Sequence, residues 1–336
     1  MFRNVSHKNL KKAFSLIELS VVVLIIGILI AGITAGSRLV RNSKLASAAQ
    51  FTKSSDINSI ADLVLWLEPT QENSFATTDN TSALTYANVA DPKDSSYVKD
   101  TLRPDNREYV ARWNDISPRA MPGNKKSVYQ ETGARRPMYI ANAINGLPAL
   151  QFDGSAQYLY SQNNNTTPSA PPLVAGDKSY TMIAVFSATK IKSNNPILDQ
   201  TPNNPSDGTT LVMDILNEKL IMSGYNTQYD VESNFSPKPQ EKYIAIIKSE
   251  DSSILSANNL SFYLNNMLDN KTFSTTNHLI GSDNFLLAGY IYSGTSVTRF
   301  FQGYIGEVLV FDRALKTEEI DTINKYLSKK WGIALK

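Results

Sequence analysis

The chain of 336 residues contains no cysteine and only two histidines. The first absence removes disulfides, thiolate nucleophiles, iron–sulfur clusters and cysteine-ligated zinc. The second leaves any Ser-His-Asp or multi-histidine metal chemistry resting on His278, because His7 lies in the first few residues. Basic surplus is also missing. The formal net charge is +2, but Arg3, Lys8, Lys11 and Lys12 sit in the first 13 residues without an acid; the remainder carries 29 basic against 31 acidic residues. With no Lys/Arg run beyond that start there is no electrostatic footprint for nucleic acid.

What is present is a core-forming composition, 42% hydrophobic, and one long apolar run. Phe14 to Ile33 holds a single ionisable residue, Glu18. As a helix rising 1.5 Å per residue, such a run reaches roughly 30 Å, the thickness of a bilayer's hydrocarbon core. Lys11 and Lys12 immediately before it favour a cytoplasmic N-terminus, a preference that Arg38, Arg41 and Lys44 on the far side weaken. A secretory signal peptide fits less well, since the run is too long, carries a carboxylate near its start and is not closed by a clean small-x-small site.

The segment Lys11-Lys12-Ala13-Phe14-Ser15-Leu16-Ile17-Glu18-Leu19 resembles the type IV prepilin motif. The resemblance implies that a prepilin peptidase cuts between Ala13 and Phe14 and methylates the new amine of Phe14. Most members of that family have glycine where this chain has Ala13. It further implies that Glu18, the fifth mature residue, pairs with the N-terminal amine of a neighbouring pilin subunit during assembly. A carboxylate in hydrocarbon costs at least about 2–3 kcal/mol, so an intramembrane acid is expected to have a partner.

Beyond the span, Leu39, Val40, Leu45, Ala46, Ala49, Ile57 and Ile60 recur at three- and four-residue steps, describing an amphipathic stem that Ser54-Ser55-Asp56 can break or re-cap. After Ala61 the texture changes to short apolar runs between polar turns, the pattern of an antiparallel sandwich. Segments 161–178 and 192–208, rich in Asn, Pro, Ser and Thr, read as long surface loops. Near the end Thr317 can cap a helix with Glu318 and Glu319 in its first turn, Lys329 and Lys330 in its last, and Gly332 as its stop.

Leu65-Trp66-Leu67-Glu68, Arg112-Trp113-Asn114-Asp115, Asn145-Gly146 through Asp153-Gly154, and Tyr304 through Leu315 with the helix after it together resemble a concanavalin A-like, laminin-G-like jelly roll. The expected organisation is therefore a leader over 1–13, a pilin-type helix over 14–60 that is transmembrane over about 14–35, and an all-β jelly-roll sandwich over 61–336 with one short C-terminal helix. Glucanases of this fold use an E-x-D-x-x-E strand, which is absent; Glu307 and Asp312 are five apart with apolar flanks, and no enzyme activity is expected.

Trp113, Asn114 and Asp115 are candidates for a sugar or calcium site, against the alternative that the ring is core and the Asp holds a turn. Asp153-Gly154 reads as turn chemistry, and Tyr225 and Tyr229 as exposed loop aromatics. No cofactor is expected beyond that possible calcium. The function expected is a pilin-like subunit, minor or at the tip of a type IV filament, carrying the sandwich from the bacterial inner membrane to the periplasm or exterior to meet a glycan or protein. The alternative is a minor pseudopilin of a secretion or DNA-uptake machine.

Overall fold

The computed structural model describes residues 16–71, 74–75, 106–118, 126–130, 132–161, 179–201, 211–223, 230–250, 258–273, 284–293 and 296–336. They form two compact units, Met1–Lys44 and Leu45–Lys336. The first unit's described part is the beginning of α1, Leu16–Lys53, which is long and apolar enough to cross a membrane. Leu16, Val23, Leu24, Ile28, Leu29 and Ile33 are all exposed in it, as lipid-facing or filament-packing side chains are. Gly27, Gly32 and Gly36 stay helical because every backbone bond is made within the helix, which in hydrocarbon outweighs glycine's poor propensity.

The second unit begins with the last turns of α1. Lys53 ends the helix, and Ser55 caps a short 3-10 turn, Asp56–Ser59, by accepting from the Ile57 amide at 3.2 Å. The anticipated Ser-Ser-Asp break thus falls where the sequence placed it. Ala48, Ile57 and Ile60 are buried against the sandwich rather than left on a free stem.

Among the described residues the strands in chain order are β1 Leu63–Leu67, β2 Arg112–Trp113, β3 Val128–Tyr129, β4 Met138–Ile144, β5 Leu147–Asp153, β6 Leu159–Ser161, β7 Tyr180–Ala188, β8 Pro196–Thr201 and β9 Leu211–Leu216. There follow β10 Lys219–Ser223, β11 Val231–Glu232, β12 Tyr243–Glu250, β13 Asn258–Leu264, β14 Met267–Phe273, β15 Asn284–Leu287, β16 Gly289–Ser293, β17 Ser296–Phe300 and β18 Gln302–Phe311. The chain closes with α2, Thr317–Trp331.

Two antiparallel sheets face each other. One runs β14-β13-β12-β7-β18-β5-β4, with β1 also on β18; the other runs β11-β10-β9-β8-β15-β6-β3-β2. Between them lies the larger core, in which Met182, Ala184 and Phe186 of β7 meet residues such as Met213, Ile215 and Leu287 from the opposite sheet. The alternate residues of β7, Ile183 and Val185, point the other way into a second core under α2, so this central strand is buried on both faces. That double burial explains why Tyr180 to Ala188 is almost unbroken in apolar character. A β16–β17 hairpin lies against β8 and packs its own Val297 and Phe300 onto Tyr158 and Leu286.

Two local readings are corrected. Segment 192–208 was expected as loop throughout, but Pro196–Thr201 is strand β8, held between β9 and β15, with Ile197 and Leu198 fully buried. Its Asn- and Pro-rich flanks hid a six-residue strand. At α2 the cap residue is Lys316 rather than Thr317, and its amide donates to Glu319 Oε2 at 2.8 Å. Gly332 stops the helix in the left-handed region, φ 62°, as anticipated.

Candidate functional site

Ala13 and Phe14 lie outside the described residues, as do Tyr225, Tyr229 and His278. Glu18 lies in the first turn of α1, with the apolar run following it. Of the residues expected to serve processing and assembly, Glu18 falls within the described residues, and the other chemistry described below lies in the second unit.

The Trp113, Asn114 and Asp115 candidate site is corrected by its surroundings. Trp113 is fully buried in the inter-sheet core and stacks on Phe75 at 6.0 Å, so its ring cannot meet a sugar. Asp115 is buried too, and accepts backbone amides from Trp66 at 3.0 Å, Ser117 at 2.9 Å and Lys126 at 3.1 Å. The Asn114 amide donates to Ser74 O at 2.7 Å. These three residues pin β1 to β2 and the turn after it. Burial pushes the Asp153 carboxyl up, but the Ser155 hydroxyl, at 2.6 Å, and the amides of Ser155, Ala156 and Gln157 all donate to it and hold it below its ordinary value.

A site that the sequence reading passed over sits where stem, sandwich and α2 meet. Lys330 Nζ is wholly buried and lies 2.6 Å from Glu68 Oε1, 2.9 Å from Glu307 Oε2 and 2.8 Å from Thr52 Oγ1. Glu307 also accepts from Trp66 Nε1 and Trp331 Nε1, each at 2.8 Å, and from the Tyr326 hydroxyl at 2.9 Å. Glu68 accepts the amides of Thr70 and Gln71, both at 2.9 Å, while the Gln71 side chain donates to Ala49 O at 2.7 Å. Burial, with both carboxylates adjacent, pushes the Tyr326 phenol well above its ordinary value, so it stays a donor. Each of the four carboxylate oxygens thus has at least one donor within hydrogen-bond distance, which offsets the cost of taking them out of water.

Local backbone makes this possible. A register shift between Ile305 and Glu307 on β18 turns Glu307 away from the inter-sheet core towards α2. Gly306 at the shift leaves room for the Trp331 ring, which a Cβ there would meet at 2.6 Å. A spacing rule sees only a glutamate in an apolar strand; the signal was the four-residue step from Tyr326 to Lys330 beside Trp331.

On the outer face of the other sheet a second polar group is gathered under the β16–β17 hairpin. Asp214 accepts the Asn195 amide at 2.6 Å, and burial, only partly offset by that bond, raises its carboxyl to about 7. Asp199 is fully buried nearby, and Arg299 lies over the Tyr290 ring at 4.7 Å. Among the described residues no group of three or more His, Cys, Asp or Glu is arranged to hold a metal ion.

A lectin-type β-sandwich joined to an apolar, pilin-type helix is the class these features define. Residues 153–321 match the model of the concanavalin A-like lectin/glucanases superfamily, and the chain belongs to that family. Residues 8–34 match the prokaryotic N-terminal methylation motif. No curated protein matches the chain.

Among solved structures, an arabinofuranosidase complexed with arabinofuranosyl-α-1,2-xylobiose is similar at 12% identity and a TM-score of 0.50, covering 82% of this chain and 64% of its own. A Trypanosoma rangeli sialidase in complex with sialic acid is 15% identical at a TM-score of 0.45, covering 80% of this chain; this chain spans a third, 33%, of its length. The Ruminococcus gnavus sialidase module CBM40 bound to α2,3-sialyllactose is 16% identical at a TM-score of 0.41, covering 52% of this chain and 95% of its own. At 12% identity the likeness to the arabinofuranosidase is one of fold alone. Together the motif and the family support a pilin-type chain with a membrane-anchored N-terminus and a lectin-like domain of the carbohydrate-binding kind.

Proposed function

We propose that the chain is a minor or tip subunit of a type IV filament, non-catalytic, and that it displays its sandwich to bind a glycan or protein surface. The observation that carries this reading is the conjunction of a methylation motif at 8–34 with a lectin-like fold at 153–321 in one chain. A prepilin peptidase cuts between Ala13 and Phe14 in the bacterial inner membrane, with the N-terminus cytoplasmic, and the domains divide into leader 1–13, helix 14–60 and sandwich 61–336. Glu18 pairs with the Phe14 amine of a neighbour, exchanging a costly lone carboxylate for an ion pair as the helix leaves lipid.

A sandwich of about 275 residues (61–336) is bulky for every repeat of a shaft whose subunits pack at a short axial rise, which favours few copies. The experiment is filament isolation with subunit counting and N-terminal mass analysis. Mature protein beginning at N-methylated Phe14, at a few copies per filament, is expected, and Glu18→Ala should abolish incorporation. An intact Met1, a cut beyond Ala31, or normal incorporation of Glu18→Ala overturns the reading. Absence from any external filament, with processing intact, would instead favour the minor pseudopilin.

A further inference from the structure

The outer face of β12, β13 and β14 carries an ordered grid of side chains. Register aligns Lys248, Ser261 and Asn270 in one row across the three strands, and Ile246, Tyr263 and Leu268 in the next. Strands lie about 4.8 Å apart, and same-face residues along a strand are about 6.8 Å apart, so neighbouring rows present polar and apolar groups at the scale of a pyranose ring. Glu250 and Thr272 extend the polar side, and Thr317 at the start of α2 closes one end. The groove so formed has a volume of about 390 Å³, within the usual range for small-ligand sites.

The lining is chemically specific. Tyr263 is buried to its edge and Leu268 is 52% exposed, giving a strip of apolar floor beside the polar row. Lys248 is held nearly buried, its side chain 10% exposed, by an ion pair to Glu250, whose own side chain is 48% exposed. The carboxylate therefore has open lone pairs while the pair as a whole carries no net charge. Ser261 Oγ donates to Asn270 Oδ1 at 2.9 Å, which anchors the oxygen of this exposed side chain and leaves its NH₂ as the donor for a ligand. Lys271 at the rim is matched by Asp269 at 3.4 Å. A site with cancelled charge, acceptors and donors on rigid strands, and a narrow apolar strip fits an uncharged polyhydroxyl ligand. It fits an anion badly, because each lysine already has its carboxylate.

We infer that this groove is a binding site for a neutral glycan, holding one or two hexose units against Tyr263 and Leu268 with hydrogen bonds to Glu250 and Asn270. The inference rests on the reading of the sandwich as a displayed binding domain and names the ligand class and the face. That face is the one beside α2, not the Trp113 region that the sequence pointed to.

The test uses the full chain in detergent micelles, with binding followed by saturation-transfer NMR and calorimetry. The probes are lactose, cellobiose, xylobiose and mannobiose, with sialyllactose and digalacturonate as acidic counterparts. At least one neutral sugar is expected to bind, with Glu250→Ala and Asn270→Ala each weakening it at least tenfold while the thermal midpoint stays unchanged. Arg299→Ala, on the β16–β17 hairpin that lies over the opposite sheet, should leave binding intact. Binding that survives both groove substitutions, preference for the acidic sugars, or no binding by any probe overturns the proposal. Incorporation of Asn270→Ala into filaments, scored in parallel, separates the outcomes: normal incorporation without groove binding sinks the groove alone, whereas loss of wild-type incorporation sinks the filament reading.

Discussion

Lys330 is the single residue whose loss the fold should feel most. Lys330→Met leaves Glu68 and Glu307 buried without their ammonium, and removing one partner of a buried ion pair typically costs about 3–5 kcal/mol. Urea unfolding should register a loss of that order, and a loss under about 1 kcal/mol would mean that the carboxylates are satisfied by the indoles and amides alone. Asp214 makes a different prediction. Its carboxyl is raised from 3.8 to about 7, so between those values the folded state holds a proton that the unfolded chain has released. Stability from this group is therefore greatest below about pH 4 and falls as pH rises to about 7, by at most roughly 1.4 kcal/mol per pH unit. Asp214→Asn should flatten that slope in urea midpoints taken from pH 4.5 to 8; an unchanged slope would show that the group is ionised throughout.

At the scale of elements, the end of α1 belongs to the sandwich. Ala48 is buried, Thr52 bonds Lys330, and Ala49 accepts from Gln71. A chain beginning at Asp56 should unfold several degrees below one beginning at Arg38, since a domain of this size loses about 2–4 °C per kcal/mol. Equal midpoints would show the stem to be an appendage.

Element type was largely legible in advance. The long apolar run of α1, the short apolar run of β7 and the stripe of Ile320, Ile323 and Leu327 report their elements directly. Strand β8 was hidden because Asn and Pro at its flanks outweighed six residues of strand. The buried ion cluster was hidden for another reason. Glu68, Glu307 and Lys330 are far apart in sequence, and the turning of Glu307 depends on one irregular step in β18, which no periodicity reports.

The whole molecule joins two solvents' worth of design in one chain, an exposed apolar helix whose backbone is satisfied internally and a sandwich that buries an ion cluster supplied with its own donors. The arrangement around Lys330 has a mechanical meaning in that setting. Thr52 precedes β1 and Glu68 follows it, and a single ammonium grips both while also holding Glu307 on the last strand. Tension arriving along the helix would reach α2 and β18 through this clasp before it could peel β1 from its one long neighbour. A force-extension trace pulled from the N-terminal side should accordingly yield at higher load in the wild type than in Thr52→Val, in which the strand bears the first share of the strain.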